Sequence, residues 1–146
     1  MEGLVTHVYN DGGRAAAGYK GKAGDCVCRS IAIVSGLPYQ TVYDALNALG
    51  AGERRTKRRR SKSSARDGVR KTTYRRYLES VGFRFTPTMG IGTGCRVHLR
   101  ADELPPGRLI VVCSGHLTAV IDGVLHDTHD PSRGGTRCVY GYFRRD

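Results

Sequence analysis

The sequence lacks any long hydrophobic run and any basic N-terminal segment that leads into one. No stretch approaches the roughly 18 apolar residues of a membrane span, so we expect no transmembrane helix. The segment from Met1 to His7 has no basic start followed by an apolar stretch, which a secretory signal would have. We therefore expect an unprocessed, cytoplasmic protein.

Cysteine is too scarce and too irregularly spaced for a disulfide framework or a metal site. The chain has 5 cysteines, an odd number, and we expect reduced thiols. One residue separates Cys26 from Cys28, whereas redox pairs and zinc knuckles place two residues between their cysteines. A metal site is the minor alternative, and we expect neither a metal nor a cofactor.

Acidic residues are few, and the resulting positive charge is confined to one segment. The chain has 24 Lys and Arg against 13 Asp and Glu, a net charge of +11. The segment from Arg54 to Arg76 contains twelve basic residues and the single acid Asp67, so it accounts for the whole net charge. At 146 residues the chain fits one domain over residues 1–146, with a basic insert at about 52–70.

This basic insert suggests a binding function as an alternative to catalysis. From Arg54 to Arg70 there is hardly any apolar side chain to offset the entropy of ordering, so we expect a mobile loop. Clustered Lys and Arg bind nucleic acid or another anionic surface by releasing counterions, although the segment could also be a solvated loop. The candidate residues are Arg54, Arg55, Lys57, Arg58, Arg59, Arg60 and Lys62, within a possible contact surface of residues 54–76.

Hydrophobic spacing predicts three helices followed by strands. Helices are expected over 26–35, from Pro38 to Gly50, and around 74–81 before Gly82. Their core-facing residues are Val27, Ile31 and Val34, then Val42, Ala45, Leu46 and Leu49, and then Tyr74, Tyr77, Leu78 and Val81. Strands are expected near residues 4–9 and at 83–85, 108–113, 116–121, 124–127 and 138–143. The pattern predicts an α+β fold with N-terminal helices packed on a C-terminal antiparallel sheet.

Cys26 lies where a thiol becomes a nucleophile. A helix N-terminus lowers the pKa of a thiol, and its unpaired amides can hold an oxyanion. We expect Asp25 to cap this helix and leave Cys26 beside those amides. Cys28 points elsewhere on the helix and is expected to be a buried, unreactive residue.

His116 is the best base among five histidines, the others being His7, His98, His126 and His129. It follows an apolar strand and a Ser114–Gly115 step that permits close backbone approach. A two-residue turn at Asp122–Gly123 would pair Thr118 with Asp127 and His116 with His129.

On that register, Asp127 is the expected orienting acid. The period of two places His116, Thr118, Asp127 and His129 on one face of the hairpin, so Asp127 can accept from the His116 ring. A bulge in the second strand would favour Asp130 instead.

Cys95 and His98 form a second pair of reactive side chains. At their strand spacing the two side chains point to opposite faces, so we expect them to be structural or loop residues.

The order of these residues resembles the papain-like cysteine peptidases. The resemblance lies in Gly24 to Ala32 around Cys26, in Gly115 to Gly123 around His116, and in an acid one hairpin later at Asp127. The chain also resembles uncharacterised phage and bacterial proteins with an Asp-Cys-Val helix and a His-Asp-Thr hairpin. The resemblance covers most of the chain from Cys26 onward and implies a papain-like fold.

The resemblance also implies a mechanism, and the sequence departs from the family pattern in one residue. Cys26 would attack a peptide, isopeptide or other amide carbonyl, with His116 moving the proton and a thioester as intermediate. Papain-like enzymes usually place a glutamine before the cysteine as oxyanion donor, but the only glutamine here, Gln40, follows it. Candidate replacements are Asn10, Tyr19, Lys20, Lys22 and the backbone amide of Cys26. A catalytically inactive papain-like binding module is a further alternative.

Overall fold

The computed structural model describes residues 2–145 and confirms an α+β fold. The helices are α1 (Cys26–Ser35), α2 (Tyr39–Ala51) and α3 (Lys71–Ser80), and a short 3-10 turn covers Arg133–Gly135. The strands are β1 (Thr6–Tyr9), β2 (Arg84–Pro87), β3 (Arg108–Cys113), β4 (His116–Ile121), β5 (Val124–Asp127) and β6 (Gly141–Arg144). None of the helices in residues 2–145 is long and apolar enough to span a bilayer.

The strands form one mixed sheet in the order β1-β5-β4-β3-β6-β2. Neighbouring strands are antiparallel except at one edge, where β1 runs parallel to β5. The expectation of a purely C-terminal, antiparallel sheet is therefore wrong at this edge. A parallel pair needs a long crossover connection, and here all three helices lie in the chain between its two strands.

The central strands separate two cores because their side chains alternate between the faces of the sheet. Ile110 and Val112 of β3 pack under the helices, whereas Leu109 and Val111 pack on the opposite face. That second face is covered by two long connections. The one before β3 contributes Leu99 and Leu104, and the one before β6 contributes Val139. The sheet is thus covered by helices on one side and mainly by loops on the other.

The helix boundaries lie close to those expected from the sequence, except at the end of α2. Helix α1 starts at Cys26 and ends against the left-handed Gly36, as expected. Helix α2, however, continues past Gly50 and is capped at Gly52. Gly50 is buried inside the last turn, where a Cβ atom would collide with the carbonyl oxygen of Ser63. This glycine therefore permits a close approach of the basic insert and does not terminate the helix.

The β4–β5 hairpin has the expected turn and register. Asp122 and Gly123 both have positive φ, at 48° and 79°, and Ile121 pairs with Val124 across them. The same register extends to Ala119 opposite His126 without a bulge. It therefore brings the start of β4 beside the end of β5.

The basic insert is anchored at both ends. The carboxylate of Glu53 accepts hydrogen bonds from Ser63 and from the Thr73 hydroxyl. The Arg70 guanidinium donates to the carbonyls of residues 54, 59 and 61. Ser63 and Ala65 are buried, so part of the segment joins the core, whereas residues 54–62 are exposed. The mobility of this exposed part stays a prediction.

The expectation that all five cysteines are reduced is wrong. Cys95 and Cys138, 43 residues apart, form a disulfide, whereas Cys26, Cys28 and Cys113 are free. The long connections that cover the second face of the sheet bring the two sulfurs together, and cysteine spacing in the sequence does not reveal this.

Candidate active site

Cys26 is the first residue of α1 and is partly exposed at the edge of a cleft. Asp25 makes no capping hydrogen bond, contrary to expectation. Its carboxylate is 3% exposed and instead accepts from Arg29 Nη1 at 2.5 Å and from the Tyr39 hydroxyl at 2.7 Å. A buried charge is costly without a partner, so Asp25 pairs with the guanidinium and leaves the first amides of α1 free of a side-chain cap.

His116 and Asp127 form the pair that the hairpin register predicts. His116 Nε2 lies 2.8 Å from Oδ2 of Asp127, and the Thr118 hydroxyl donates to the same oxygen at 2.7 Å. Asp127 is 1% exposed. Asp130, the alternative acid, accepts from the backbone N–H of Ser132 at 2.9 Å.

The His116 ring also reaches Cys26. Burial raises the pKa of the Cys26 thiol. This increase is outweighed by a hydrogen bond from His116, a hydrogen bond from the backbone N–H of Leu117, and the charges of His116 and Arg29, all of which lower the pKa. The net pKa lies below the ordinary thiol value. Because Asp127 occupies Nε2, Nδ1 is the ring nitrogen left to face the sulfur.

The charges of the three groups support one another. Burial lowers the pKa of His116, but the hydrogen bonds to Asp127 and Cys26, with the charge of each, raise it to about 9. Burial raises the pKa of Asp127, but hydrogen bonds from His116 and Thr118, with the charges of His116 and Arg29, hold it well below its usual range. The lowered pKa of the Cys26 thiol and the raised pKa of His116 both favour transfer of the thiol proton to the imidazole, beside the Asp127 carboxylate.

Arg29 is the residue of the site that the sequence analysis missed. It is 7% exposed and links Asp25 to Asp127, donating from Nη2 to Asp127 Oδ1 at 3.0 Å. The available signal is that Arg29 is the only charged residue of α1 and lies four positions after Asp25.

The cleft has a volume of about 500 Å³, and Cys26 and His116 both line it. One wall includes residues 67–69, at the end of the basic insert, and another includes Tyr74 and Val112. A Cβ atom on Gly24 would lie 3.0 Å from the Asp67 carbonyl oxygen, so this part of the insert packs directly beside the start of α1.

The four side chains considered as oxyanion donors do not line this cleft. The Tyr19 hydroxyl donates to Gln40 at 2.9 Å, and the Asn10 amide lies 3.2 Å from the His126 ring. Lys20 and Lys22 border a neighbouring depression. Of the candidates, the backbone amide of Cys26 remains beside the reacting sulfur, at the start of α1.

The other free thiols are buried and protonated. Burial raises the pKa of Cys28 to about 12 and that of Cys113 to about 11. Cys28 is fully buried, as expected. Of the three free thiols, Cys26 therefore has the electrostatics of a nucleophile.

In the described part of the chain, no group of three or more His, Cys, Asp or Glu side chains is arranged to hold a metal ion. Comparison with protein-family models, with curated proteins and with solved structures found no match to this chain.

Proposed function

We propose that this protein is a papain-like thiol hydrolase or acyl transferase that acts on an amide bond through Cys26, His116 and Asp127. One observation carries the proposal. The His116 ring is held 2.8 Å from the Asp127 carboxylate, and His116 lines the same cleft as Cys26, the first residue of α1.

The reaction would start from the thiolate–imidazolium pair. The Cys26 sulfur attacks the amide carbonyl, and the resulting oxyanion lies near the free amides at the start of α1. His116 gives its proton to the leaving amine, which produces a thioester on Cys26. His116, neutral again, then activates water or a second amine to release the acyl group.

Asp127 would position the base throughout this cycle. Its Oδ2 atom holds His116 Nε2, and the Thr118 hydroxyl on the same oxygen fixes the carboxylate. An imidazolium formed next to a buried carboxylate is stabilised, and its ring stays turned toward the sulfur. The substrate is a peptide, isopeptide or other amide.

The exposed basic residues favour a second, accessory function. Residues 54–62 are exposed, and the insert that they belong to continues into the cleft wall at 67–69. Binding of nucleic acid or another anionic surface by this segment would place that partner beside the Cys26 cleft.

The principal test is the rate of iodoacetamide alkylation against pH for the intact protein and for C26S, C28S and H116A. We expect one fast thiol with an apparent pKa below 8.5, lost in C26S and unchanged in C28S, the matched control. H116A should slow the reaction at neutral pH. The proposal fails if Cys26 titrates like a free thiol, if Cys28 is the fast residue, or if H116A reacts like the wild-type protein.

A further inference from the structure

A second reactive cluster lies around the Cys95–Cys138 disulfide. His98 Nε2 is 3.7 Å from the Cys95 sulfur, so the two side chains meet, contrary to the expectation that they point apart. His98 Nδ1 is 3.1 Å from Glu103 Oε1, which also accepts the backbone N–H of His98 at 3.1 Å. A sulfur, an imidazole and a carboxylate are therefore aligned in the order seen in thiol-activating sites.

The two sulfurs of this disulfide have unequal access to solvent. Cys95 is exposed, and the His98 side chain beside it is 38% exposed. Cys138 is half-buried, and its sulfur lies 3.8 Å from that of Met89. An external thiol or disulfide would therefore reach Cys95 first.

We propose that Cys95 and Cys138 form a thiol–disulfide exchange site for small thiols and disulfides. Cys95 is the attacking sulfur, His98 its base, Glu103 the residue that positions the base, and Cys138 the resolving thiol. This function is independent of the proposed amide chemistry, since none of its residues lines the Cys26 cleft.

Exchange in the oxidising direction consumes one small disulfide. In the dithiol form His98 takes the Cys95 proton, and the Cys95 thiolate attacks one sulfur of the small disulfide. The S–S bond of the small disulfide breaks, and the leaving thiolate takes the proton from His98. The Cys138 thiol then loses its proton and its sulfur attacks Cys95. The small thiolate that leaves takes up this proton, which releases the second small thiol and restores the protein disulfide. Two small thiols are formed for each protein dithiol oxidised, and the reverse sequence reduces the protein.

The disulfide also tethers a loop beside the Cys26 cleft. Thr88 is hydrogen-bonded to Tyr140 and Val139, and Cys95 is bonded to Cys138, so both ends of the loop are attached to one segment. Between these attachments Met89, Gly90 and Ile91 line an apolar groove of about 560 Å³. The groove shares Tyr74, Val112 and Cys113 with the Cys26 cleft. Reduction would remove the covalent attachment of this wall, and the backbone hydrogen bond from Val139 to Val97 would remain.

The test uses the full chain carrying C26S, which removes the competing thiol. The protein is reduced with dithiothreitol, the reductant is removed, and oxidised glutathione is added. Acid-quenched samples are analysed by peptide mass for glutathione on Cys95 and for the Cys95–Cys138 bond. We compare H98N and E103Q with E79Q, which removes an exposed carboxylate from α3.

We expect the mixed disulfide on Cys95, followed by closure to Cys138. H98N should slow the formation of the mixed disulfide at pH 7 by about tenfold or more. The rates with and without H98N should become more similar near pH 9.5, where the Cys95 thiol ionises without a base. E103Q should have a smaller effect in the same direction, and E79Q should have none. The proposal is overturned if the protein with C26S and H98N gives the same rate–pH profile as the protein with C26S alone. It is also overturned if glutathione is found on Cys138, or if dithiothreitol reduces the Cys95–Cys138 bond only in denaturant.

Discussion

Arg29 on α1 donates from Nη2 to Oδ1 of Asp127 at 3.0 Å, which links the helix of Cys26 to the hairpin that carries His116. The two oxygens of Asp127 therefore have different partners. Oδ1 accepts from Arg29 and from the backbone N–H of Thr128, and Oδ2 faces His116 and Thr118. This division orients the carboxylate, and through it the imidazole.

Replacing Arg29 by Met should strongly destabilise the fold. The guanidinium lies between two carboxylates that are 3% and 1% exposed, and its removal takes away the cation that these two buried groups share. Breaking such a pair costs about 3–5 kcal/mol. Urea unfolding followed by circular dichroism would measure the loss of unfolding free energy.

The matched control is R100M, which removes the same group from an exposed pair with Asp102. A pair in solvent contributes little, so R100M should unfold almost like the wild-type protein. Similar unfolding midpoints for R29M and R100M would contradict a structural role for the buried network.

Replacing Asp127 by Asn should lower the pKa of His116 from about 9 toward its ordinary value near 6.5. The amide keeps the shape of the side chain but loses the charge that stabilises the imidazolium. The state in which Cys26 is a thiolate and His116 an imidazolium would then be lost at a lower pH than in the wild-type protein. An NMR titration of the His116 ring would show the shift directly.

Asp130 provides the control for this experiment, because it was the alternative acid in the sequence. Its carboxylate is hydrogen-bonded to the Ser132 amide, and Asp127 occupies the ring nitrogen of His116. D130N should therefore leave the His116 titration close to that of the wild-type protein. A large shift in D130N with a small one in D127N would reverse the assignment of the acid.

Replacing Gly50 by Ala should destabilise the protein although Ala is the better helix former by about 1 kcal/mol. The added methyl group would collide with the Ser63 carbonyl oxygen, which is backbone and must shift. We expect a net loss of about 1–3 kcal/mol in urea unfolding. In G52A the new Cβ atom would lie 3.6 Å from the Leu49 carbonyl oxygen, an ordinary contact, so this variant should be neutral or slightly stabilised. Equal stability of both variants would contradict the close packing of the basic insert on α2.

Removing four charges from residues 57–60 should weaken binding to duplex DNA. The variant carries K57Q, R58Q, R59Q and R60Q, and it leaves Arg70 and Glu53, which anchor the insert, unchanged. The slope of log binding constant against log salt concentration should become less negative by about 3.6, or about 0.9 for each of the four charges. Fluorescence anisotropy of a labelled duplex at several salt concentrations would measure it.

The control removes the same charge elsewhere through K20Q, K22Q, R84Q and R144Q, all at exposed positions. If the insert is the binding surface, this control keeps most of the affinity and the salt slope. An equal loss of DNA affinity in the two variants would indicate that binding responds to net charge alone.

Local patterns in the sequence predicted the parts of the site that lie close together in the chain. Cys26 starts a helix because apolar spacing and Gly36 define that helix. The Asp122–Gly123 turn fixes a register of period two, and this register predicts which side chains Asp127 meets. Both predictions depend on contacts within one helix or one hairpin, where backbone geometry leaves little choice.

The tertiary structure decided everything that depends on segments meeting across the fold. The parallel edge strand β1, the Arg29 bridge between α1 and β5, and the Cys95–Cys138 bond each join residues far apart in sequence. Asp25 could have capped its helix by a local pattern, yet it binds Arg29 and Tyr39, because a buried carboxylate needs the strongest available donors. The sequence alone predicted Cys26, His116 and Asp127 as candidate nucleophile, base and acid. Only the packed structure decided their charges, because burial and neighbouring ions set the pKa of each group.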